Sequence, residues 1–306
     1  MSDSSHHDLR YFTRRLKRHP LLRTALVWTQ SAIGYLPSLA RLATQELRQL
    51  PSLVIVGAQK AGTTQLYTHL LKHPRLFGAC QKELEYFSKH HRRPLAWYRS
   101  QFPLAWRVSA VGGHSVDASP SYLCVPAALH RLHTALPQAR VIAILRDPVS
   151  RAFSGYQHSK TRHRDKRTFA DAVEAELWES VYRPRLGAAL AADAPTMRRY
   201  VARGYYALQL ELLLHLYPRE QTLILDSADL FRDTNAACQW VFQFLGVESC
   251  NVQPEKIYNR GYYEEKIDPL VAERLREHYR PYDELLAHLL GRRFSWMKGA
   301  SQAAAA

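Results

Sequence analysis

The sequence predicts an α/β fold: a parallel sheet with helices on both faces, a three-layer sandwich, preceded by an N-terminal helical extension. Three observations carry this. Short, continuously apolar, β-branched runs recur at wide spacing; stretches of helical periodicity separate them; and the turns after the first two runs are rich in glycine, proline and hydroxyl residues.

Leu53-Val54-Ile55-Val56 is apolar throughout and ends at Gly57, the pattern of a strand buried on both faces. Leu66, Leu70 and Leu71 then follow helical spacing until His73-Pro74 stops them. Val141-Ile142-Ala143-Ile144-Leu145 reads as a second buried strand, ending in Arg146-Asp147-Pro148 and followed by a helix through Tyr156. Thr222-Leu223-Ile224-Leu225 is a third, with a helix near Tyr206 to Leu216 before it and another from about Asn235 to Leu245 after it. Ligands of such sheets sit at the carboxyl ends of the strands, which places the 57–64 and 146–154 loops at one shared site.

The 306 residues are 46% hydrophobic and 23% charged, which excludes a disordered chain and a disulfide-stapled mini-scaffold. No internal repeat or linker divides the chain, so residues 51–299 read as one domain, with a basic extension at 1–50 and a disordered tail at 300–306. Lys and Arg number 42 against 27 Asp and Glu, a formal charge of +15, of which residues 1–50 hold +5 and the rest +10. A positive field spread over the whole body suits a polyanionic partner: a nucleotide, an acidic glycan, a nucleic acid or an anionic membrane. Cys80, Cys124, Cys238 and Cys250 lie far apart without CxxC spacing, and His90-His91, His158 and His163 show no ligand spacing. We therefore expect no metal and no disulfide framework, which fits a reducing compartment and a cytoplasmic protein.

Thr24 to Ala40 is a run of 17 uncharged residues between basic flanks. It contains Thr24, Thr29, Gln30, Ser31, Gly34, Pro37 and Ser38, too polar for the roughly 20 apolar residues of a spanning helix. The expectation is an amphipathic helix, packed on the domain or lying on an anionic membrane through residues 10–43; an N-terminal anchor is the alternative.

Gly57-Ala58-Gln59-Lys60-Ala61-Gly62-Thr63-Thr64 joins a strand to a helix with two glycines, a lysine and two hydroxyls. Glycines let backbone N–H groups converge on an anion, and the helix terminus adds partial positive charge, so the fold is P-loop-like. The nucleoside-triphosphate motif has its lysine after the second glycine. Here the lysine lies two residues before it, which weakens a kinase or ATPase reading and suits a metal-free reaction at a phosphate-linked leaving group. Arg146-Asp147-Pro148-Val149-Ser150-Arg151-Ala152-Phe153-Ser154-Gly155-Tyr156 offers a second anion site, with Arg146 at the strand end and Ser154 in the following helix.

At these residues the chain resembles the sulfotransferases that use 3′-phosphoadenosine 5′-phosphosulfate (PAPS), in the heparan-sulfate-type and bacterial carbohydrate-type branch, from about Leu53 to Trp296. The resemblance implies that Lys60, Ala61, Gly62, Thr63 and Thr64 hold the 5′-phosphate and that Arg146 and Ser154 hold the 3′-phosphate. It extends through Lys82-Glu83-Leu84-Glu85-Tyr86-Phe87, Trp97-Tyr98, Arg203-Gly204-Tyr205-Tyr206, Arg260-Gly261-Tyr262 and Gly291-Arg292-Arg293-Phe294-Ser295-Trp296. Tyr206, Arg260 and Gly261 are thereby implied in nucleotide binding and Glu83 as the base, with Lys60 neutralising the leaving oxygen. The residues alone rank Glu83, Glu85, His114 and Asp117 almost equally as bases. Two departures stand out: Ala118 occupies the position of a lysine in many heparan-type relatives, and the 262–268 segment is short. Either Lys60 suffices, or a further cation comes from the 89–93 or the 158–167 run.

The implied reaction is PAPS-dependent transfer of a sulfuryl group to a hydroxyl of a carbohydrate or glycoconjugate, with no metal. Lipid or phenolic acceptors are the alternative, and a nucleic-acid-binding protein the non-enzymatic one; no nucleic-acid reader motif is present. The acceptor, whether a small molecule or an acidic glycan, is expected to meet Lys82, Trp97, Asp117 and Arg162.

Overall fold

The computed structural model describes residues 38–182, 199–252 and 265–297. Five strands, β1 (Leu53–Gly57), β2 (Leu76–Gly78), β3 (His114–Ala118), β4 (Arg140–Leu145) and β5 (Thr222–Asp226), form one parallel sheet in the order β2-β3-β1-β4-β5. The apolar runs at 53, 141 and 222 are β1, β4 and β5, and all five residues of β1 are buried.

β2 and β3 are additional strands. β2 has only three residues, and β3 carries His114, Ser115 and Asp117 in place of an apolar run. Asp117 is tolerated at 1% exposure because hydroxyls of Tyr98, Ser119 and Tyr122 donate to its carboxylate at 3.0, 3.1 and 3.2 Å.

The connections produce the layers. β1 leads through α1 (Thr63–Leu70) to the β2 side of the sheet, whereas β3 leads through α4 (Pro126–Ala135) to β4 on the other side. Between them lie the short α2 (Leu95–Ser100) and α3 (Ala105–Ser109). Crossovers of one hand running in opposite directions put their helices on opposite faces. α5 (Pro148–Lys160), α6 (Phe169–Tyr182) and α7 (Tyr206–Leu216) lie between β4 and β5; α8 (Ser227–Arg232), α9 (Thr234–Leu245) and α10 (Pro269–Leu290) follow β5. Accordingly α1 packs with α9, while α7 packs with α4 and α10. The chain reverses direction between β1 and β4, so the crevice at their carboxyl ends is the topological switch point. A bulge between Ile55 and Gly57 shifts the β1–β4 register there.

Helix at 38–43 and a 3₁₀ turn at Gln45–Leu47 precede the sheet; the remainder of the 10–43 segment lies outside the described residues. Among the described residues no helix is long and apolar enough to cross a membrane. All four cysteines are free.

Candidate active site

The turn after β1 has to be small. A Cβ on Gly57 would lie 2.6 Å from Leu123 Cβ. Gly62, at φ +100°, caps α1 in a left-handed conformation that excludes most side chains, and a Cβ there would meet Leu230 and Phe231 at 3.0 Å. The first N–H groups of α1, at Thr63 and Thr64, lack partners within the helix and form an anion cradle. Ala61 and Thr63 are buried beneath it. Lys60 stands at the crown with φ +70°, a conformation costing a non-glycine residue on the order of 1–3 kcal/mol and typical of functional turns.

The second cradle is tied to the first. Asp147 caps α5, accepting from the N–H groups of Val149 at 3.3 Å and Ser150 at 3.1 Å, which fixes Arg146 at the junction of β4 and α5. Arg146 Nη1 donates to the Lys60 carbonyl at 3.0 Å. The Tyr206 hydroxyl, at the start of α7, donates to the Arg146 carbonyl at 2.9 Å. Tyr206 is 1% exposed, so the structure places it beneath Arg146 as a support. Ser154 is buried in α5, about two turns beyond its start.

Sheet topology separates the candidate bases. His114 opens β3 at its amino end, away from the crevice, and shares a 3.0 Å contact with Ser52 Oγ. Glu85 is buried and paired with Lys89. Asp117 is occupied by its three hydroxyl donors, and burial pushes its carboxyl up to about 6. Glu83 differs: its backbone N–H donates to the Ala118 carbonyl at 3.1 Å, at the end of β3, and its side chain is 45% exposed. Lys82 Nζ holds Glu83 Oε1 at 2.7 Å. Like Lys60, Glu83 adopts a left-handed conformation, φ +62°.

The charges meet across the crevice. Burial first, and then Arg146, lower the Lys60 ammonium from its ordinary value, while Glu83 opposes the shift. Arg162 and Lys82 add to the lowering. His158, in α5, is the member of this group that spacing did not single out. Burial, then Lys60 and Arg162, hold its imidazole down at about 4, leaving it neutral at pH 7. The S-x-Y-x-H run of α5 is the sequence signal that could have found it. Arg162 is an exposed cation of the 158–167 run whose charge acts on Lys60 and His158; Lys89, of the other run, is engaged by Glu85.

Trp97 is half-buried on α2, with the Arg93 guanidinium 4.4 Å above its ring and His90 edge-on at 6.0 Å. Asp117 requires correction as an acceptor contact: at 1% exposure, saturated by Tyr98, Ser119 and Tyr122, it cannot face an acceptor. Arg260 and Gly261 lie outside the described residues.

Residues 50–277 match the family described as sulfotransferase domain. A human bifunctional heparan sulfate N-deacetylase/N-sulfotransferase 3 is 31% identical over 209 residues, 65% of this chain and 22% of that protein. The human heparan sulfate glucosamine 3-O-sulfotransferase 3A1 is 28% identical over 284 residues, 85% of this chain and 65% of that protein. The chain thus spans less than two thirds of the length of these curated relatives. A sulfotransferase crystal structure from Alicyclobacillus acidocaldarius superposes with a TM-score of 0.66 at 25% identity, covering 82% of this chain and 99% of that one. With the family match spanning all five strands and the loops after β1 and β4, the chain belongs to the sulfotransferase family, the PAPS-dependent enzymes that its loop motifs resemble.

Proposed function

We propose that this protein transfers the sulfuryl group of PAPS to a hydroxyl of a carbohydrate or glycoconjugate. The observation that carries the reading is the coupling of two anion cradles at neighbouring strand ends, with Arg146 of one bonded to the Lys60 carbonyl of the other. That spacing suits one ligand with a phosphate at each end. Lys60–Thr64 take the 5′-phosphate, and Arg146 and Ser154 the 3′-phosphate. Arg260 and Gly261 are assigned to the nucleotide on the resemblance alone.

The acceptor oxygen attacks sulfur, the bond from sulfur to the 5′-phosphate oxygen breaks, its electron pair stays on that oxygen, and the acceptor proton passes to Glu83. Catalysis of this kind is mostly positioning and charge neutralisation. A half-buried Lys60 supplies the neutralising charge, and Lys82 and Arg162 supply the cationic charge that Ala118 does not. Arg93, stacked over the half-buried Trp97 ring, offers a cation held in place by an aromatic side chain, suited to an acidic group of a sugar.

The glycan acceptors named for the relatives support a carbohydrate and do not favour the lipid, phenol or nucleic-acid readings. We also propose a cytoplasmic location with a peripheral membrane contact through residues 10–43, on the strength of their basic flanks, which cell fractionation tests. Incubation with radiolabelled PAPS and a panel of acidic and neutral glycans, lipids and phenols tests the function. Label should enter a glycan; label entering only phenols or lipids overturns the acceptor class.

A further inference from the structure

We propose that Arg203 is a phosphate-binding residue of the nucleotide site, a third anion ligand beside the two loops. The assignment rests on the nucleotide reading above. Arg203 lies in the 3₁₀ turn Ala202–Gly204 and is 6% exposed. Its Nη1 donates to Gln59 Oε1 at 2.7 Å, which sets the guanidinium against the crown of the phosphate loop, one residue from Lys60. Its Nη2 is buried without a hydrogen-bond partner among the described residues.

The turn that carries it is held by Tyr279. Tyr279 donates to the Val201 carbonyl at 2.8 Å, and its ring covers Gly204 so closely that a Cβ there would lie 2.7 Å from it. The carboxylate that reaches this turn, Glu176, is engaged by backbone N–H groups, those of Val201 at 2.8 Å and Ala202 at 3.2 Å among them. No ion pair joins Arg203 to a carboxylate among the described residues. A buried guanidinium with one fork tooth oriented by an amide and the other unpartnered is a ready ligand for a phosphate oxygen. Its place beside Gln59 and Lys60 assigns it to the 5′ side. Gln59 is then a positioning residue acting through Arg203.

Calorimetric titration of adenosine 3′,5′-bisphosphate and of adenosine 3′-monophosphate into wild type, R203M and R203K tests this. R203M should weaken bisphosphate binding about 10-fold or more, the scale of one hydrogen bond to a charged group. Affinity for the 3′-monophosphate and the melting temperature of the ligand-free protein should hold. R203K keeps the charge and the stem but not the fork, so it reports even if R203M does not fold; about 5-fold weakening, again confined to the bisphosphate, is expected. Unaltered bisphosphate affinity, or equal losses for both nucleotides, overturns the assignment. Wild-type protein that binds neither nucleotide overturns the underlying reading and this assignment with it.

Discussion

Arg146 Nη1 donates to the backbone carbonyl of Lys60 at 3.0 Å, so the residue that follows β4 holds the crown of the loop that follows β1. One contact spans the switch point of the sheet and fixes the separation of the two anion sites. It also brings two cations together, and burial with the Arg146 charge lowers the Lys60 ammonium. Such an arrangement is electrostatically costly in the free protein and is relieved by an anion.

Glu83→Gln keeps the shape of the side chain and its backbone bond to Ala118 while removing the base. Turnover should fall about 10²-fold or more, the usual worth of a general base. Nucleotide affinity should change little. Steady-state kinetics with a matched nucleotide titration checks both, and wild-type turnover removes Glu83 from the role.

Asp117 is expected to govern stability and not acceptor recognition. Asp117→Ala leaves the hydroxyls of Tyr98, Ser119 and Tyr122 without their acceptor, at about 1–3 kcal/mol for a buried unsatisfied group. The acceptor KM should hold. Because burial raises this carboxyl to about 6, the folded state binds more protons than the unfolded state between the ordinary carboxylate value and about 6. Its contribution therefore falls as pH rises through that window. Asp117→Asn should remove that slope, seen as the difference between urea-denaturation curves of mutant and wild type from about pH 4 to about pH 6, the window that the linkage relation sets.

His158 runs in the opposite sense. Its imidazole is held at about 4 in the folded state, below the ordinary histidine value, so the unfolded state binds more protons in between. The stability it contributes is complete above the ordinary value and is lost as pH falls towards about 4. Replacing it with glutamine should flatten that acid loss in thermal melts; an unchanged acid limb would place the imidazole in solvent.

Arg162, Arg164 and Lys166 line the exposed end beyond α5. Reversing all three charges should raise the KM for an acidic acceptor at low salt. The effect should shrink as ionic strength shortens the reach of the field, to about 8 Å at physiological salt. Equal KM values at low salt would reduce the cluster to a solvated surface.

The three apolar strands were legible because a strand buried on both faces has no room for polar residues, and the placing of the 57–64 and 146–154 loops at neighbouring strand ends followed from them. β3 was not legible. Its Asp117 looks exposed in sequence and is stabilised only by hydroxyls from Tyr98, Ser119 and Tyr122, which the fold brings together. Among the candidate bases, which the residues alone did not rank, strand direction and burial set Glu83 apart from Glu85 and His114, in line with the family resemblance. Arg203 lies 144 positions from Gln59, a separation across which no local pattern operates.

Titration of adenosine 3′,5′-bisphosphate into the wild-type protein and Arg146→Ala is the most direct test of the coupled cradles. Saturable one-to-one binding by the wild type, weakened at least about 10-fold on removing the arginine, is the expected result for a charged hydrogen-bonding group. No binding by folded wild-type protein, or equal affinity in the two proteins, would contradict the account.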